Sequence, residues 1–180
     1  MKKVLTYNIG LNDYLRCVKF AHDSISTNID AYSRRNQAKI HKILNDIIVG
    51  KLGEFAVYQF LSEKYDLSEP DLNIYEKKDK SYDADLKCLN LNIHVKSQLK
   101  EQSETYGTSW SFQPKDKLVT NPDPNDVIFL CLVDDLNVQI LNYDKANAYV
   151  DSYRDPVKDA LKGHKKVIYF TDLIKKQKNI

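Results

Sequence analysis

The sequence predicts a mixed α/β domain, and three observations predict it. Apolar residues recur at helical spacing through the first third of the chain. After Pro70 the apolar period changes to two, the signature of strands. A continuously apolar run over residues 127–133 fits a central strand covered on both faces. Helices first, then a meander of strands, then helical and strand material again indicate one domain spanning residues 1–180. Its N-terminal helices fall within 1–64 and its sheet core within 70–170.

Taken in order, residues 13–26 read as an amphipathic helix, with Leu15, Val18, Ala21 and Ile25 on one stripe. A polar stretch at 32–36 precedes a second, longer helix. There Ile40, Ile43, Ile47, Phe55 and Phe60 are joined by Leu44, Ile48 and Leu52, so apolar residues cover most of its circumference and it must be buried. Gly50 and Gly53 lower its propensity and mark a kink, a break or a close approach to another backbone. Three strands are expected over 72–75, 82–89 and 91–98, then a polar loop at 103–107 and a short strand at 109–112. The Pro/Asn/Asp cluster at 121–125 is a turn into the central strand. Asp134 and Asp135 turn that strand into another over 138–143. Helical material follows to about residue 161, then a last strand over 167–170 and a basic tail.

Composition narrows the function classes. Hydrophobic residues make up 42% of the 180, enough for a core, and the 29% charged residues are balanced to a net +2, so any polyanion site must come from local clustering. Cys17, Cys88 and Cys131 show no metal-binding spacing and suit buried free thiols in a reducing compartment. Neither a secretory leader nor a membrane-spanning run is present, so a cytoplasmic protein without a membrane partner is expected.

Three features carry chemistry. Glu54 projects from the largely apolar stripe of Ile47, Tyr58 and Leu61 on the long helix, and a buried carboxylate requires a cation, a hydrogen-bonding partner or a role. Strict alternation puts Ile93, Val95 and Ser97 on one face of a strand and His94, Lys96 and Gln98 on the other. Asp83 and Asp85 precede that strand, and a hairpin through residues 89–92 would bring them beside His94 and Lys96, where the helix carboxylate could join them. Carboxylate oxygens suit magnesium, which acts as a Lewis acid, and a lysine beside a phosphate can stabilise the charge that develops during hydrolysis.

Asp85 with the hydrophobic residue after it, then Ile93-His94-Val95-Lys96-Ser97-Gln98, resembles the core of the PD-(D/E)xK nuclease superfamily. Gly50-Lys51-Leu52-Gly53-Glu54-Phe55-Ala56 resembles the helix-borne acidic motif of many members. The resemblance covers residues 50–98 by motif. It implies a restriction-endonuclease-like core, a mixed central sheet flanked by helices, and a magnesium-dependent DNA endonuclease in which manganese can substitute. A type II restriction enzyme or a small phage nuclease fits that size. It further implies that Asp85 and Glu54 are metal ligands, that Lys96 is catalytic and that Gln98 contacts water or phosphate. His94 departs from the pattern, standing where an acid is usual, and is carried as a third metal ligand.

Plainer roles stand beside these. Glu54 could form a buried ion pair with a lysine or arginine, Lys96 could guard an edge strand, and Asp83 competes with Asp85 for the ligand position. Arg34 and Arg35 before the long helix, and Lys115 after Trp110 and Phe112, are candidate phosphate contacts, which position a nucleic acid without reading it. A homodimer would let one site per copy cut both strands of a palindrome. The rival function is a non-catalytic nucleic-acid-binding protein that keeps the fold, and RNA is the alternative substrate.

Overall fold

The computed structural model describes residues 3–33, 40–75 and 84–178. A short strand β1 (Leu5–Asn8) leads into two long helices, α1 (Leu11–Ser33) and α2 (Ile40–Ser62). The hairpin β2 (Leu86–Cys88) and β3 (Leu91–Leu99) follows, then α3 (Lys100–Tyr106), β4 (Ser109–Phe112) and the single turn α4 (Lys117–Thr120). Strands β5 (Asp126–Asp134) and β6 (Asn137–Lys145) form a second hairpin; two 3-10 turns, β7 (Lys166–Tyr169) and α5 (Phe170–Lys178) complete the chain. The main sheet has the order β1-β6-β5-β3-β2. Only β3 and β5 run parallel, and every other neighbouring pair is antiparallel, so the sheet is mixed. Strands β4 and β7 make a separate antiparallel pair.

Side-chain alternation in β5 assigns the sheet's two faces to two cores. Phe129, Cys131 and Val133 pack with Ile93 and with Leu52, Phe55, Ala56 and Val57 of α2. Ile128 and Leu130 pack instead with Trp110, Phe112, Tyr149 and Ile168, beneath the β4–β7 pair. Helix α2 therefore lies between α1 and the sheet, and the unbroken burial from Leu52 to Val57 follows from that sandwich. All three cysteines are buried free thiols.

The α/β class, the long buried helix, the 91–98 strand, the central strand and its hairpin partner agree with the sequence. Other elements differ. Residues 72–75 form no strand: Asp71 turns the chain locally by accepting from the backbone N–H and side-chain amide of Asn73 and from the Tyr75 hydroxyl. Of the strand expected over 82–89, only Leu86–Cys88 is extended, and its first two residues lie outside those described. Strand β1 was not anticipated, because four residues show too few alternations to stand out. The loop expected at 103–107 is largely helix α3, and the basic tail is the helix α5. Between 146 and 161 the helical material is 3-10 rather than α.

The two glycines of α2 play different parts. The helix runs through both without a break. At Gly50 an added Cβ would meet nothing, whereas at Gly53 it would lie 1.9 Å from Ser97 Oγ and 3.2 Å from Val95 Cγ1. Gly53 is thus the point where α2 rests directly on β3. We expect Gly53→Ala to destabilise the protein by about 1–3 kcal/mol through overpacking, and Gly50→Ala to stabilise it by about 0.5–1 kcal/mol. Urea denaturation checks both, and adding Ser97→Ala to Gly53→Ala should recover part of the loss. A Gly53→Ala protein as stable as wild type would refute this contact.

Candidate functional site

One turn of α2 carries Lys51 and Glu54, and α1 covers it with Arg16, Cys17 and Phe20. Arg16 stacks over the Phe55 ring and Lys51 over the Phe20 ring. Glu54 is only 8% exposed, as its place on the apolar stripe required. Lys51 Nζ donates to Glu54 Oε2 at 2.7 Å and to the backbone carbonyl of Asp71 at 2.8 Å. The plain role foreseen for Glu54, an ion pair with a lysine, is therefore present.

Asp85 arrives from the other side, on the residue before β2. Strand β2 ends its pairing with β3 at Leu86 opposite Ile93. Just beyond, Asp85 Oδ2 accepts the Val95 backbone N–H at 2.7 Å, so a side-chain oxygen continues the ladder where the main chain has stopped. This brings Asp85 near enough to Glu54 for the two like charges to oppose each other. The Glu54 carboxyl is pushed from its ordinary 4.5 up to about 8. Burial is the main cause and the Asp85 charge adds to it, while Lys51 pulls back without cancelling them. The neighbouring Cys17 thiol is pushed up to about 12, by burial first and by Glu54 second.

His94, Lys96 and Gln98 face the opposite core. Val95 and Ser97 face α2 at Gly53, and alternation sends the residues between and beside them through the sheet. Lys96 Nζ lies 5.4 Å from the centre of the Phe112 ring, and no ion pair joins it to Glu54 or Asp85 among the described residues. His94 Nε2 is 3.2 Å from Asp126 Oδ1. Asp126 also accepts from the Asn92 amide and the Asp123 backbone N–H, and these hydrogen bonds outweigh burial and hold its carboxyl below the usual range. Gln98 uses both ends of its amide on backbone, donating to the Gly107 carbonyl and accepting from Ser109 N–H, which fastens the connection between α3 and β4.

Glu54 thus lies within electrostatic reach of Asp85, and Lys96 is separated from Glu54 because the two are on opposite faces of β3. Beside Lys96 β3 pairs with β5 alone, because β2 stops at Leu86 opposite Ile93, so the edge-strand role foreseen for Lys96 stays open to it. Trp110 and Phe112 are core, and Trp110 donates to the Cys131 carbonyl; Lys115 nearby is exposed. Arg34, Arg35 and Asp83 lie outside the described residues.

As a cation site, the cluster offers two carboxylates from separate elements with one oxygen of each already held, by Lys51 and by Val95 N–H. Magnesium commonly takes one or two carboxylates and keeps its waters, so this pair fits that ion. Beside it the buried Ser97 Oγ, against Gly53, has no hydrogen-bond partner among the described residues. A third protein ligand is not at hand: no group of three His, Cys, Asp or Glu able to hold a metal occurs among the described residues, and His94 is engaged by Asp126.

Sequence reasoning missed Lys51, Asp71 and Asp126. Lys51 was legible, because a spacing of three on a helix places it on the Glu54 face. Asp126 was not, since its meeting with His94 depends on the parallel register of β3 and β5.

The Glu54 shift has a definite sign. The folded chain holds this proton more tightly than the unfolded chain, so stability declines as pH rises from about 4.5 to about 8 and levels off above. In EDTA, urea denaturation at successive pH values should show wild type losing on the order of 4 kcal/mol relative to Glu54→Gln over that window. Parallel stability–pH curves for the two proteins would contradict it.

No family model, curated protein or solved structure matches this chain.

Proposed function

We propose that the chain is a magnesium-dependent DNA endonuclease with a restriction-endonuclease-like core, in which Glu54 and Asp85 hold the ion. The observation that carries the reading is the buried Glu54 carboxylate, hydrogen-bonded to Lys51 and within electrostatic reach of Asp85 from a different element. Two acids within reach of each other oppose each other's ionisation, and a divalent cation between them would relieve both burial and repulsion. When bound, the ion supplies Lewis acidity to the phosphodiester and lowers the pKa of water. Further support comes from the order of elements, a helix bearing the acid, a hairpin bearing the second acid and the lysine, then the central strand and its partner.

In this reading Asp85 has two duties, closing the β2–β3 ladder through Val95 N–H and offering its other oxygen to the ion. Glu54 is fixed in depth by Gly53. Lys96 lies on the far face of β3, so it serves as a positive charge for a phosphate approaching from that side. His94 is oriented by Asp126 on the same face as Lys96 and is not assigned to the metal. Gln98 holds the chain around β4 and is not assigned to substrate. Lys115 is a phosphate contact.

Supercoiled plasmid should be nicked or linearised with magnesium or manganese and left intact in EDTA. Asp85→Asn and Glu54→Gln should each lower the rate by on the order of 10²-fold or more, and Lys96→Met by on the order of 10²-fold. Purified protein that leaves both DNA and RNA uncut with either ion would end the enzyme reading.

The separation of Lys96 from Glu54 across β3 favours a second reading, a nucleic-acid-binding protein that keeps this fold without cutting. Manganese binding distinguishes the two: loss of binding in Asp85→Ala supports the nuclease, and undiminished affinity supports the binding protein.

A further inference from the structure

We propose that Lys51 is a positioning residue of this site, its ammonium serving as a resident cation that holds Glu54 until a divalent ion takes its place. The inference rests on the metal-binding reading above and adds a residue that the sequence motif did not assign.

Lys51 is held as closely as a bound ion. An ammonium has three protons to place. Here one goes to Glu54 Oε2 at 2.7 Å and one to the Asp71 carbonyl at 2.8 Å, and the Phe20 ring centre lies 4.9 Å away. The first of these contacts is to one oxygen of the carboxylate that a divalent ion would use. Two cations on one carboxylate repel each other strongly in so poorly hydrated a place. The other two contacts, to residue 71 and to α1, do not involve Glu54. Released from Glu54, the flexible four-carbon stem keeps both as an anchor. The arrangement allows exchange without unfolding, with the ammonium moving aside while the ion joins Glu54 and Asp85.

The same contacts explain why the segment after α2 lies where it does. The Asp71 side chain is occupied by Asn73 and Tyr75, so its backbone carbonyl is what meets Lys51. Residue 71 thereby meets the Lys51 end of the site, and movement of Lys51 is coupled to it.

The test uses Mn2+ as probe with the full chain and compares wild type, Lys51→Met, Lys51→Gln and Lys51→Arg. Free Mn2+ is measured by electron paramagnetic resonance and stability by urea denaturation with and without the ion. We expect Lys51→Met and Lys51→Gln to bind Mn2+ roughly tenfold more tightly than wild type. They should lose stability without the ion and regain it when Mn2+ is added, whereas Lys51→Arg stays near wild type. Equal or weaker Mn2+ binding in folded Lys51→Met and Lys51→Gln overturns the role of Lys51 while leaving the metal site standing. Variants that stay unfolded even with Mn2+ overturn it too, because the ion then fails to replace the ammonium. Absence of Mn2+ binding in wild type and variants alike overturns the metal reading itself, and this inference with it.

Discussion

The contact on which the rest depends is the direct seating of α2 on β3 at Gly53. A helix ordinarily stands off a sheet by the length of the side chains between them. Here one missing Cβ lets the helix backbone approach until Ser97 Oγ fills the space. The residue after that glycine is Glu54, so the approach that packs the core also carries a carboxylate into it. Lys51 one turn earlier and Asp85 at the end of the hairpin can then address that carboxylate. Moving α2 outward by the width of a methyl group would leave Glu54 nearer water, and its unusual proton affinity would fade with its burial.

The second organising fact is that β3 is two-sided. Its α2 face carries Val95 and Ser97, and its other face carries His94, Lys96 and Gln98. Glu54 lies on the first face, with His94, Lys96 and Gln98 on the second. Asp85 bridges them only through the backbone, by gripping the N–H of the residue between His94 and Lys96.

What was legible in the sequence was whatever has a period. The apolar circumference of α2, the alternation of β3 and the unbroken apolar run of β5 each fix an element and its buried face, and the burial of Glu54 followed from the first. What was not legible depends on partners distant in the chain. The parallel pairing of β3 with β5 brings Asp126 to His94, and no local pattern announces it. Residues 72–75 misled because their alternation is genuine while Asp71 turns them locally and Lys51 ties the start of the segment to α2. The divided site is the same lesson on a smaller scale. Alternation correctly put Lys96 opposite Val95, but only the packing of α2 decides which face the acid helix covers.

The pairing of β1 with β6 has a consequence for synthesis. Leu5 finds its ladder partner at Ile140, and α2 finds the sheet it covers only once β3, β5 and β6 exist. A ribosome releasing this chain thus exposes two long helices, with their apolar surface, well before their covering strands emerge. Such distant pairings slow folding and prolong the interval in which greasy surface is open to aggregation. Completion of the main sheet thus waits on the β5–β6 hairpin, and the β4–β7 pair can form only after that.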